Sequence, residues 1–282
     1  TWVAICLWAA LVVLVAKMLL AGQDRPIARL AKRARHNWRR VAFAILGASL
    51  AGVNMVTYMW LKPQLDYVAP FWMDEPLAKM DAAILGTDGW KLLGMFNTEL
   101  VATTYTSVWA MALVPALLYV FFSSPSRNRT ASIVSYFMLW SLFGPIGQYL
   151  MSAAGPIFYE RLGLGTRFAQ FQPTEFSALV SGYLWDAYVD KALVTGPGIS
   201  AMPSLHIATV AWATLAFASL GSRLTPLAAL FALYMWIASV ALGWHYMVDG
   251  LVGALMAATA FYLARPAAAR SEQGPTLTPA RA

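Results

Sequence analysis

The chain has 282 residues, 60% of them hydrophobic and 12% charged, against about 25% charged in a soluble domain. Its apolar residues run in blocks of about 20, enough to cross roughly 30 Å of hydrocarbon, and too few polar residues remain to cover such blocks in water. The net charge of +7 sits mainly in one run between two apolar blocks with no recognition module around it, which argues against nucleic acid.

In chain order, the first apolar block, 2–21, lacks a charged leader and a small-residue cleavage site, so a span is expected there and not a signal peptide. It contains Cys6, the single cysteine, which leaves no intramolecular disulfide and no cysteine metal cluster. Seven basic residues follow: Arg25, Arg29, Lys32, Arg33, Arg35, Arg39 and Arg40. Anionic inner-leaflet lipids are the expected partner of this loop, and His36 within it is expected to be solvated. A second span is predicted over 41–60. The segment 61–99 mixes aromatics with Asp74, Glu75, Asp81 and Asp88, a pattern for a helix lying flat at the headgroups. Spans at 100–122 and 131–153 come next, then a long segment, 155–200, closing on Gly196-Pro197-Gly198. The last three spans are predicted over 205–220, 226–243 and 250–264. The Pro/Ala/Arg-rich stretch 265–282 is expected to be a disordered cytoplasmic tail.

The expected fold is therefore an all-α membrane protein, a bundle of about six to seven transmembrane helices in one domain, 1–264. With the basic loop inside, that side carries 14 basic and 2 acidic residues, and the other side 6 basic and 11 acidic. The asymmetry puts the N-terminus outside and the C-terminus in the cytoplasm.

His206 and His245 are separated by 39 residues, room for two crossings and a tight turn, so both return to one non-cytoplasmic face. Asp249 follows His245 by four residues, one helical turn, where a carboxylate can hold the second N–H of the imidazole. Ionisable residues at spans are costly and point to function. The bland alternative is three unrelated interfacial polar groups, which fits one histidine better than a pair with an orienting Asp.

Pro203-Ser204-Leu205-His206 and His245-Tyr246-Met247-Val248-Asp249 resemble the second and third signature motifs of the type 2 phosphatidic acid phosphatase superfamily. They look most like its branch containing inositol phosphorylceramide synthase and sphingomyelin synthase, in which His-Tyr-x-x-Asp is typical. The stretch from Gly155 through Tyr159 and Arg161 to Gly163 is similar to that branch's proline- and tyrosine-containing element, and the resemblance covers 152–264. It implies that His245 attacks phosphorus, that Asp249 orients it, and that His206 protonates the leaving oxygen and then activates the acceptor. Ser204 and neighbouring N–H groups would hold the phosphoryl oxygens, with no metal and no cofactor.

Two positions depart from the commoner phosphatases. Leu205 stands in place of a glycine, and Ser239 in place of an arginine six residues before the nucleophile. A phosphoryl group in transfer needs cationic or N–H donors on its oxygens, so with that arginine missing Arg161, Arg167 or Lys191 is expected to supply the charge. Arg161 is favoured, because it follows the Pro-Tyr element. Ser204, Arg161, Tyr159 and Lys191 are the expected substrate-binding residues. The expected activity is transfer from a membrane lipid phosphate to an alcohol or to water, in a bacterial inner membrane with the site facing the periplasm or outside. A lipid transporter without covalent chemistry is the competing class, and a homo-oligomer is left open.

Overall fold

The computed structural model describes residues 11–272 apart from 13, 192–195 and 197. Among the described residues the secondary structure is entirely helical. Residues 11–12 and 14–20 are helical; the rest of the first expected span, with Cys6, lies outside the described residues.

The helices are α1 (Pro26–His36), α2 (Trp38–Val68), α3 (Asp74–Leu85), α4 (Gly89–Leu93) and α5 (Glu99–Phe122). Then come α6 (Arg127–Met138), a π-helical turn (Leu139–Phe143), α7 (Gly144–Leu150), α8 (Glu175–Val189), α9 (Leu205–Ser219), α10 (Thr225–Ala241) and α11 (Met247–Glu272). Several begin where a hydroxyl can satisfy an otherwise orphaned N–H. Thr98, Ser126, Thr174 and Ser204 accept from Val101, Arg129, Ser177 and Ile207 at 3.3, 3.1, 3.1 and 3.4 Å.

Among the described residues, four helices are long and apolar enough to cross a membrane: Trp38–Val68, Glu99–Phe122, Arg127–Leu150 and Met247–Pro266. The apolar α9 and α10 have 15 and 17 residues, so each falls short of the roughly 30 Å core at about 1.5 Å per residue. Leu46, Val53, Leu100, Leu230 and Leu255 stand exposed on helix faces, a surface suited to lipid and not to water.

Three expectations shift. The second span runs on to Val68, carrying Lys62 and Asp66 in its last turns. The flat helix of the 61–99 segment is α3, but its Asp74 and Asp81 are buried, not set at a headgroup surface. The stretch expected as a disordered tail from Arg265 begins as the end of α11, which continues to Glu272; residues 273–282 lie outside the described residues.

The core is aromatic. Tyr58, Phe121, Tyr136, Trp140 and Trp212 pack where α2, α5, α6 and α9 meet, and the Trp212 indole donates to Ser132 O at 2.8 Å. At one end, Arg129 donates to Phe121 O at 2.9 Å and Arg40 to Phe122 O, so two cations cap the carbonyl end of α5. Part of the basic cluster is therefore structural, whereas Arg29, Lys32, Arg33 and Arg35 on α1 stay exposed. The two signature histidines lie at the opposite end, where α9 and α11 begin.

Candidate active site

His245 occupies the turn between α10 and α11, not the helix itself as the four-residue spacing suggested. The turn is fastened beneath it: Trp244 N and His245 N donate to Ser239 O at 3.1 and 3.2 Å. Ser239, at the position where an arginine was expected, turns its hydroxyl back onto Trp236 O at 2.8 Å. Nδ1 of His245 lies 2.8 Å from Ala201 O and 3.3 Å from Asp249 Oδ2. A carbonyl oxygen only accepts, so Nδ1 carries the proton and Nε2 is the free basic nitrogen. Nε2 is 3.3 Å from Ser204 Oγ.

Asp249 has a second task. Its Oδ2 accepts Tyr246 N at 2.9 Å, while Asp249 N donates to Tyr246 O at 3.2 Å, a reciprocal clasp that starts α11. Ser204 and Asp249 are fully buried and His245 is 5% exposed. Their closeness needs a glycine: a Cβ on Gly253 would sit 2.5 Å from Ser204 O, so α11 lies against the entry of α9 only without a side chain there.

His206, in the first turn of α9, has its ring centroid 6.3 Å from that of His245, with no direct hydrogen bond between them. Its imidazole lies edge-on to Trp109 at 4.5 Å and near Tyr105 at 5.4 Å. Both histidines line a cavity of about 150 Å³, whose wall also includes Lys62, Tyr105, Ser200 and Trp244. Leu205, the other departure, points into the core, where Gly144 makes room: a Cβ on Gly144 would meet Leu205 Cδ1 at 2.9 Å.

Arg161, Tyr159 and Lys191 are not brought to this cavity. Arg161 is exposed, lies over the Trp185 ring at 5.8 Å and reaches Ser181 O at 3.4 Å. Tyr159 is buried against Phe168, 4.9 Å between centroids, in a cluster behind the site. Lys191 is exposed. Arg167, the remaining candidate cation, is paired with Asp88 at 2.7 Å. The Pro-Tyr element instead supports the histidine turn, because Ile157 N donates to Gly243 O at 2.9 Å and Gly155, at φ 103°, passes under Trp244 O.

The residues not foreseen come from α2 and α3. Asp74 accepts Ala154 N, Gly155 N and Tyr246 Oη at 2.8, 2.8 and 2.9 Å. Asp81 accepts Met247 N and Val248 N at 2.7 and 3.2 Å. Burial pushes both carboxyls up from the ordinary value of 3.8, and the donors pull back part of the way. Asp66 takes Gln148 Nε2 at 3.0 Å and Ile199 N at 2.8 Å, holding the strand of chain that leads to Ala201. Their signal in the sequence was the cost of placing carboxylates beside spans, together with the seven-residue step from Asp74 to Asp81, which puts both on one helix face.

A family model described as the PAP2 superfamily matches residues 95–263, more than half of the chain and all of the histidine constellation. Neither a curated protein nor a solved structure matches.

Proposed function

The chain belongs to the PAP2 superfamily, which makes it a phosphatase-type enzyme, and from that premise we propose that it cleaves a membrane lipid phosphate through a phosphohistidine at His245. The observation that carries this is the poise of one ring. Nδ1–H is taken up by Ala201 O and Asp249, which leaves Nε2 basic on the side of Ser204 and the cavity shared with His206.

In the first step the Nε2 lone pair attacks phosphorus, the N–P bond forms and the ester P–O bond breaks. His206 gives its proton to the departing oxygen. In the second step His206 takes a proton from the acceptor hydroxyl, the acceptor oxygen bonds phosphorus, and the N–P bond breaks. The acceptor is an alcohol or water; likeness to the inositol phosphorylceramide synthase branch favours the alcohol, which makes the enzyme a phosphotransferase. As the imidazole gains positive character during attack, the Asp249 carboxylate stabilises it. Ser204 Oγ and the N–H groups at the start of α9 not taken by the Ser204 cap would donate to phosphoryl oxygens. The chemistry calls for no metal and no cofactor.

The lipid character of the substrate is supported by a second cavity. It measures about 550 Å³, lies among α5, α9 and α10, and is walled by Val108, Trp109, Leu113, Val210, Phe217 and Leu227. Trp109 borders it and also meets His206 edge-on, so one aromatic ring separates apolar space from the reacting group. On the charge asymmetry, the bundle crosses the membrane six or seven times and holds the site on the non-cytoplasmic face, with the exposed cations of α1 on an anionic inner leaflet.

The test is to incubate purified protein with labelled lipid phosphates, with and without alcohol acceptors, and follow free phosphate and new lipids. Release or transfer that a chelator leaves unchanged is expected. No turnover of any lipid phosphate, with or without an acceptor, would contradict the proposal.

A further inference from the structure

No cation of the 155–200 segment lines the cavity that holds the two histidines. Six cations belong to the site's side of the chain by sequence: Lys62, Lys79, Lys91, Arg161, Arg167 and Lys191. Lys79 pairs with Glu75 at 3.3 Å and Lys91 with Asp88 at 3.5 Å. Arg167 also pairs with Asp88, and Arg161 and Lys191 are exposed away from the histidines. Lys62 alone of the six lines the cavity that holds His206 and His245.

Asp66 attracts Lys62 through space, but no carboxylate makes a direct ion pair with it among the described residues. The carboxylate one turn along α2, Asp66, has both oxygens engaged by neutral donors: Oδ1 by Gln148 Nε2 and Oδ2 by Ile199 N. Tyr58 Oη in turn donates to Gln148 Oε1 at 3.1 Å, so the amide is held in that orientation. The Lys62 ammonium makes no hydrogen bond or ion pair among the described residues. Its stem is packed under the chain at Gly198, where an added Cβ would stand 3.1 Å from Lys62 Cγ. A lysine lining the cavity beside two histidines, attracted by Asp66 but in direct contact with no carboxylate, keeps its ammonium available to an anion there.

We infer that Lys62 is the cation that holds the phosphoryl oxygens of the substrate in the histidine cavity, the part an arginine at position 239 would otherwise play. The inference rests on the phosphohistidine reading above. The ligand chemistry is a tetrahedral phosphate dianion, whether it arrives as a lipid headgroup or as free phosphate. The position on α2 also explains how Ser239 is tolerated: the charge is supplied from across the cavity and not from behind the nucleophile.

The test uses the full chain in detergent. Lys62→Met keeps the stem and removes the charge; turnover of a lipid phosphate is expected to fall by about 10²–10³, the scale of losing one transition-state donor. Inhibition by inorganic phosphate should weaken with it, and Lys62→Arg should recover part of both. Arg161→Ala and Lys191→Ala should stay within about twofold of wild type, well below the effect of one lost donor. A folded Lys62→Met protein that keeps either its turnover or its phosphate inhibition overturns the inference. His245→Ala separates the two claims: if it is inactive while Lys62→Met is not, the phosphohistidine reading stands and Lys62 is dismissed. Should Lys62→Met fail to fold, acylation of wild-type lysines read by mass spectrometry decides. Phosphate should shield Lys62 but not Lys79, and equal labelling of Lys62 with and without phosphate rejects the assignment.

Discussion

Asp74 and Asp81 show how much of the candidate site is held in place by residues that do not line its cavity. Between them they accept four backbone N–H groups and the Tyr246 hydroxyl, pinning the 153–155 loop and the first turn of α11 on either side of His245. Both carboxyls are raised above 3.8 by burial, so the folded protein holds these protons more tightly than the unfolded chain does. Their contribution to stability is fully present below the ordinary carboxylate value and is lost as pH rises through the folded-state values. Compared with an Asp74→Asn/Asp81→Asn double variant, wild-type protein should therefore gain thermal stability as the buffer is taken from neutral toward pH 4, the ordinary carboxylate range. Unfolding midpoints in detergent measure this, and an opposite slope would contradict it. At this scale the spacing made the nearness of the two histidines and Asp249 legible, while Ser204 came only from the motif resemblance. The sequence did not reveal that Arg161, Tyr159 and Lys191 lie outside the histidine cavity, because nearness along a loop says nothing about where a side chain is drawn; Arg161 lies over Trp185 and Tyr159 against Phe168. The nearness of Lys62 to the histidines was hidden for the converse reason: it falls just past the predicted 41–60 span, on a helix distant in sequence that runs on to Val68.

Helix positions followed from hydropathy, but helix ends did not. Predicted spans stop where polar residues start, whereas α2 and α11 run past that point, because their polar turns are bonded to other elements or continue the helix beyond the apolar stretch. Fit between elements depends on small residues opposite the motifs. Gly144 accommodates Leu205, Gly147 leaves room for Pro203 at 2.8 Å from an added Cβ, and Gly253 admits the backbone of Ser204. These contacts are between elements far apart in sequence, so no local pattern announces them. Gly253→Ala should cost about 1–3 kcal/mol, the range for overpacking, and should depress turnover as well, since the yielding atoms belong to Ser204. Gly52→Ala, on α2 with nothing within 4 Å of its new Cβ, should be neutral or stabilising by about 0.5–1 kcal/mol. Thermal unfolding and turnover of the two variants check the contrast. Equal behaviour would show that the α9–α11 contact has slack.

Across the whole molecule, the candidate site and the Arg40–Arg129 cluster lie at opposite ends. Arg40 and Arg129 close the carbonyl end of α5, while His206, His245 and Lys62 gather at the other end. If the basic end is cytoplasmic, single cysteines at the exposed positions Glu160 and Arg223, in a Cys6→Ser background, should be labelled from opposite sides by an impermeant reagent. Labelling of both from one side would overturn the topology. The central claim is that a covalent bond forms between His245 and phosphorus, and quenching the enzyme during turnover of a lipid labelled in its phosphate tests that most directly. The label should remain on the protein as an acid-labile, base-stable adduct that maps to His245. It should vanish in a folded His245→Ala protein, diminish in Asp249→Asn, and accumulate when the acceptor is withheld. Undiminished phosphoryl transfer by folded His245→Ala protein, or an adduct on another residue, would contradict the account.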